Sequence, residues 1–293
     1  MLAMRGRFLI VVVLVAAVGL ASCGSQVQHH AVQTQSTQVS NGLFGKLHWL
    51  VAASGLRKIA AVAGQGYVRK YFDTSNTTII APSVVPKELE GWTAGYAADV
   101  KSLAGFNSVA DARGSHRFVL FDPEHWAYTP LAEQANPLST ASAVAAKAQA
   151  LGVNVISAPA VDLSKVVAPG SDIWDGYLSS GIVTAYAKYA TGIDIQAQGL
   201  EGRPSVYSSF VSRAAAEARQ ANPDVLVYAG ISTNPSGQQV SAATIVQDIE
   251  ATQGFVYGYW LNVPSGGEAC PRCGIAQPQV AVAVVNRLVA LSG

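Results

Sequence analysis

Charge is scarce in this chain. Only 13% of its 293 residues are Asp, Glu, Lys or Arg, and 19 basic residues stand against 18 acidic ones. There is no basic field to hold a nucleic-acid backbone and no acidic tail, so nucleic acid is not an expected partner. Neither G-x-G-x-x-G nor G-x-x-x-x-G-K-[ST] occurs. Nothing therefore supports a nucleotide, and no cofactor is expected. G-x-S-x-G and H-E-x-x-H are also missing, which removes the nucleophile elbow of the α/β-hydrolases and the zinc-protease helix. Long apolar runs are equally rare. Past the first 23 residues no stretch approaches eighteen consecutive apolar residues, so no later membrane span is expected. There are only three cysteines, too few for a disulfide scaffold. The five histidines are His29, His30, His48, His116 and His125. They are scattered or lack a third ligand, and no metal site is expected.

What is present begins with targeting. Arg5 and Arg7 precede an unbroken apolar run over residues 8–20, the n-region and h-region of a secretory signal. The run ends in Leu20-Ala21-Ser22-Cys23. These four positions resemble the lipobox of bacterial lipoproteins, in which the cysteine is acylated and becomes the new N-terminus. The resemblance implies a signal peptide over 1–22, a lipidated Cys23, and a protein anchored to the extracytoplasmic face of a cell membrane. Residues 24–42 are uncharged and rich in Gln, Ser, Thr and Val without periodicity. They read as the rest of a flexible tether over 23–42. His29-His30 is read as part of that tether.

From 43 to 293 the pattern alternates, and half of the whole chain is hydrophobic, enough for a substantial core. Short apolar runs rich in β-branched and aromatic residues fall at 77–81, 117–121, 153–157, 192–196, 225–229 and 256–261, with a seventh near 47–52. Such continuous runs fit strands buried on both faces. Helical stretches lie between them. Ser139 or Thr140 is placed to cap the Ala-rich run that ends before Gly152, Ser241 to cap the run that Gly254 closes, and Pro278 to start the last helix. This order predicts an α/β fold, a single parallel (β/α)8-type (TIM-like) barrel over 43–293, irregular if the strands stop at six or seven. A doubly wound open sheet is the competing architecture.

In a parallel barrel the chemistry sits just past the C-terminal strand ends. Asp122, Glu124, His125 and Trp126 follow one predicted strand. Asp194, Gln196 and Gln198 belong to another. Tyr259, Trp260 and Asn262 belong to the last. Carboxylates, amides and rings together suit a sugar, whose apolar face stacks on rings and whose hydroxyls meet Asp, Asn and Gln. Two carboxylates also suit cleavage of a glycosidic bond, one as a general acid with a raised pKa. Glu124 is the candidate acid, with Asp122 or Asp194 as second carboxylate. His125, Trp126, Gln196, Gln198, Tyr259, Trp260 and Asn262 are the candidate substrate-binding residues. A carbohydrate is the expected ligand or substrate, bound or hydrolysed; the alternative is a non-catalytic sugar-binding or envelope-scaffold lipoprotein.

The run TGIDIQAQ over 191–198 resembles the D-G-x-D-x-D-x-E strand motif of the chitinase-type, family 18 glycoside hydrolases. Gly192 and Asp194 match it. Thr191, Gln196 and Gln198 stand where that motif has Asp, Asp and the proton-donating Glu. An amide does not titrate near neutrality, so this strand lacks the family's acid. DPEHWAYTP with EQANP, and CPRCG further on, resemble uncharacterised secreted bacterial proteins with a glycoside-hydrolase-like barrel. Cys270 and Cys273 remain as an even pair in an oxidising compartment, and a local disulfide is expected there. A redox pair is the other reading of C-x-x-C.

Overall fold

The computed structural model describes residues 42–82, 84–111, 117–267 and 270–291. The signal segment, Cys23, the His pair and nearly all of the tether lie outside the described residues. Eight parallel strands close into a barrel in chain order, which settles the choice against an open sheet. They are β1 (His48–Ala52), β2 (Thr77–Ala81), β3 (Gly95–Val100), β4 (Phe118–Phe121), β5 (Asn154–Ser157), β6 (Gly192–Ile195), β7 (Leu226–Ser232) and β8 (Gly258–Asn262). The helices, in order, are α1 (Ala53–Ala63), α2 (Gln65–Phe72), α3 (Phe106–Asp111), α4 (Leu131–Ala135), α5 (Pro137–Leu151), α6 (Ser164–Val167), α7 (Ile173–Ser179), α8 (Ile182–Ala187), α9 (Pro204–Ala221), α10 (Ala242–Thr252) and α11 (Pro278–Ala290).

The strand missing from the sequence reading is β3. Its sequence GYAADV is short on β-branched residues and carries a charge, so its local preference is weak. It pairs with β2 and β4 on both sides, and those ladders hold it extended. Helix starts follow simple chemistry. Proline stands at the first turn of α5, α9 and α11, where its missing N–H costs nothing. The Ser241 hydroxyl accepts from the Thr244 N–H at the start of α10. The cap expected at Ser139 or Thr140 is not there: α5 begins earlier, with Asn136 at the cap position. The Thr140 hydroxyl instead donates to the Glu133 carbonyl at 2.9 Å. Gly152 adopts a left-handed φ of 69° and closes α5, but α10 ends at Thr252, before Gly254.

Strand pleating divides the core in two. Outward residues pack under the helices in one large cluster that includes Trp49, Phe121, Ile193, Tyr259 and Val285. Inward residues Leu50, Ile80, Ala97, Leu120, Ile156, Ala158, Tyr228 and Trp260 fill the barrel itself. The chain enters at the N-terminal end of the barrel. There the Leu43 N–H donates to the Leu288 and Leu291 carbonyls, and Phe44 stacks on Trp49 with ring centroids 4.6 Å apart.

Candidate active site

The C-terminal ends of β3, β4 and β6 bring the polar side chains together. Registers pair Ala97 with Phe118 and Phe118 with Asn154. By the two-residue repeat, Asp99 at the end of β3, Lys101 just past it, and Asp122 and Glu124 after β4 all project from the inward side. Asp122 is buried. One of its oxygens accepts from the Gln196 amide at 2.9 Å, and the other lies 3.6 Å from the Lys101 ammonium. Lys101 also meets Asp99 at 3.4 Å and sits over the Trp126 ring, 4.4 Å from its centroid. Gln196 spends its amide a second time on the Ala158 carbonyl at 2.7 Å, which fixes the donor toward Asp122.

Burial decides the electrostatics. Asp122 is pushed up to about 7, mainly because its charge is cut off from water. The nearby Asp99 charge adds to this; Lys101 and the Gln196 hydrogen bond hold it back. Glu124 is pushed up to about 9, again mainly by burial, then by the negative charges of Asp122 and Asp162. Burial opposes the charge on Lys101, yet Asp122, Asp99 and Glu124 outweigh it and keep the ammonium above its ordinary value. The two carboxyls on β4 therefore titrate as a pair. Asp122 gives up its proton first, because the cation and the amide face it. Glu124 keeps the shared proton near neutrality. An acid and a base adjoin in one mouth.

The loop after β4 is held by two buried polar residues whose roles the sequence did not disclose. The Thr129 hydroxyl donates to the Lys101 carbonyl at 2.8 Å. It accepts from the Glu124 N–H and from the Trp126 indole. The Gln134 amide donates to the Trp126 and Thr129 carbonyls, and its oxygen meets His125 Nδ1 at 2.9 Å. The His125 N–H donates to Asp162. A loop whose polar groups are all committed to one another keeps Glu124 and Trp126 in place.

The other candidates divide. Gln198 reaches the mouth and packs against Gly230, where an added Cβ would come 2.5 Å from the Gln198 carboxamide carbon. A side chain at 230 would push the Gln198 carboxamide aside. Asn262 lies half-buried at the end of β8. His125 is exposed on the rim and Trp126 lies beside the dyad. Asp194 is not at the mouth. It lies within the barrel with no exposed surface, and neither oxygen has a hydrogen-bond partner. Burial, then the Asp122 charge, hold it well above the carboxylate range. Its role as second carboxylate falls to Asp122. Trp260 also lies in the barrel interior, with Leu120 and Ile156. Tyr259 points the other way. Its hydroxyl donates to the Ile249 carbonyl at 2.9 Å and meets Thr252 at 2.8 Å under α10, so it cannot touch a ligand at the mouth. The two residues the sequence missed are Asp99 and Lys101. Their only local signal was an acid and a lysine two apart, at the end of an unrecognised strand.

Cys270 and Cys273 are joined by a disulfide. Their loop docks on the segment after β7, where the Asn234 amide donates to the Cys273 carbonyl at 2.7 Å. His48 stacks on Tyr257 at the opposite end of the barrel from His125, and His116 lies outside the described residues. Among the described residues no cluster of His, Cys, Asp and Glu is placed to hold a metal ion.

Comparison with known proteins places the fold and no more. The chain is similar in structure to a putative alpha-L-fucosidase from Bacteroides thetaiotaomicron, with a TM-score of 0.52 and 9% identity, over 86% of this chain and 97% of that one. It also aligns with the carboxyl transferase domain of Rhizobium etli pyruvate carboxylase, with a TM-score of 0.44 and 11% identity, over 86% of this chain and 49% of that one. No protein-family model matches the chain, and no curated protein sequence matches it.

Proposed function

We propose that this protein is a membrane-anchored, extracytoplasmic lipoprotein whose barrel hydrolyses glycosidic bonds. The observation that carries the reading is the β4 dyad: a buried Asp122 held by Lys101 and Gln196, beside a Glu124 that keeps its proton. Glu124 donates that proton to the leaving oxygen as the glycosidic C–O bond breaks and its electrons pass to the oxygen. The ionised Asp122 balances the positive charge that develops at the anomeric carbon. Water then adds to that carbon and returns a proton to Glu124. Trp126 and Gln198 flank the sugar. The lipobox-like segment and the tether supply the location, and the fold shared with the fucosidase is compatible with the chemistry.

A second reading has its own support. Gln196 and Gln198 stand where the family 18 motif has carboxylates, and a barrel that has exchanged acids for amides suits sugar binding without turnover. One experiment separates the two. The protein is incubated with a panel of glycans while retention and newly formed reducing ends are measured together. Release that disappears in Glu124→Gln supports the hydrolase. Retention without release supports the binding protein. Neither retention nor release contradicts both.

A further inference from the structure

A recess opens in the helical layer, between α7 and α9. It holds about 510 Å³. Trp174 and Phe210 form its apolar wall, with their rings edge to face at 5.1 Å. The polar wall comes from α9. Ser205, Ser209 and Arg213 follow one another at four-residue spacing and so share one helix face, and Arg203 stands at its foot. All four are exposed.

The guanidiniums in this recess are unpaired. Among the described residues neither Arg203 nor Arg213 has an ion-pair or hydrogen-bond partner for its guanidinium. Two acids also line the recess, but Asp172 is committed: it caps α7 by accepting from the Trp174 and Asp175 N–H groups. Both carboxylates keep their charge, so the recess is formally neutral, while its two guanidiniums stay unpaired and open to a ligand's oxyanion. Glu217, one turn beyond Arg213, takes the Thr184 hydroxyl at 2.8 Å instead. A guanidinium presents a planar fork of donors that matches an oxyanion. Ring carbons beside hydroxyls match a sugar.

Three consecutive residues lead from the barrel mouth to the recess. Gln198 faces the mouth at Gly230, Gly199 backs closely onto the Trp174 ring, and Leu200 lines the recess. A Cβ on Gly199 would lie 3.0 Å from the Trp174 ring. We infer that the α7–α9 recess is a distal subsite for an acidic sugar residue, one bearing a carboxylate or another ring-borne oxyanion, in the glycan whose bond is cleaved at the mouth. This inference rests on the hydrolase reading for the cleaved bond, and on Arg203 and Arg213 for the acidic unit.

The test is equilibrium binding of a galacturonate tetrasaccharide, a neutral glucose tetrasaccharide and inorganic sulfate to three proteins: the unaltered chain, Arg203→Gln/Arg213→Gln, and Glu124→Gln. Both arginines are exposed, so their replacement leaves the core untouched. The expected result is that the unaltered protein and Glu124→Gln bind the acidic tetrasaccharide at least about tenfold more tightly than the neutral one, the order expected for charge-assisted hydrogen bonds. The double arginine variant loses that preference. Equal binding of the acidic sugar by the double variant would overturn the subsite, as would no preference in the unaltered protein. Sulfate binding as tightly as the tetrasaccharide would show an anion site without a sugar. An intact arginine-dependent preference with no glycan cleaved would uphold the recess and remove the hydrolase reading alone.

Discussion

Two sets of acids in this barrel share burial and differ in company. At the mouth, Asp122 has a cation on one oxygen and an amide on the other, and Glu124 stands next to it. Deeper, Asp194 has no partner at all. Behind the strands, one oxygen of Glu201 accepts from the Ser232 N–H at 2.7 Å while the other is unpaired, and buried Asp248 has only the Gly202 N–H to hold its value back. Burial raises every one of them: Asp194 and Glu201 well above the ordinary range, Asp248 to about 7. What separates the sets is the cation. With Lys101 present, one carboxyl of the mouth pair ionises while its neighbour stays protonated. Without a cation, Asp194 and Glu201 are simply neutral. The mouth can pass protons at ordinary pH, and Asp194 and Glu201 are neutral packing.

The contrast can be broken most severely at Glu124. Glu124→Gln should lower the rate of reducing-end release by about 10²–10⁴-fold, the usual worth of a general acid, with no loss of thermal stability, because the amide removes a carboxyl whose value the fold raises. The next largest effect should come from Lys101→Met. Removing the cation takes away an influence that lowers the Asp122 value. In the unaltered protein, activity should rise as Asp122 ionises near pH 7 and fall as Glu124 loses its proton near pH 9. In Lys101→Met the acid limb of that bell should move to higher pH and the maximum should fall, as kcat/KM profiles would show.

Asp194→Asn should do the opposite: little to activity, something to stability. The Asp194 value in the folded protein lies above its unfolded value. Its favourable contribution is complete below pH about 4 and drains away as the pH rises toward the folded-state value. The asparagine variant lacks that drain. Urea denaturation at pH 5 and pH 8 should show the variant gaining on the unaltered protein by up to about 1.4 kcal/mol for each pH unit. A gain of the same size at both pH values would mean that Asp194 is ionised in the fold. The smallest effect should follow reduction of Cys270–Cys273. So short a loop limits the entropic contribution to about 2 kcal/mol, and hydrolysis should continue in reductant. Loss of activity there, reversed on reoxidation, would favour the redox reading of that pair.

Much of the barrel was legible because parallel strands buried on both faces write continuous apolar runs. RFVLF and VLVYA could hardly be anything else. GYAADV was illegible because β3 owes its form to its neighbours and not to its own residues. Asp122 and Glu124 were readable as acids just past a clear strand. Asp99 and Lys101 were lost with the strand that carries them. Tyr259 was misread through the parity of the pleat. A strand's sequence does not say which alternate set faces inward when both sets are apolar, and the β8 register with β1 and β7 decides it. Asp194 shares the inward parity of Gln196 and differs in depth, which only the closed barrel defines.

The most direct test is a carboxyl titration that needs no substrate. The protein labelled at its Glu and Asp carboxyl carbons would be followed by NMR from pH 3 to 10, beside Glu124→Gln. The account predicts one Glu signal that titrates close to pH 9, absent from the variant, and an Asp122 signal whose midpoint lies below it. A Glu124 signal that titrates near pH 4 like a solvated side chain would contradict the account, because no proton would then remain at the mouth to donate.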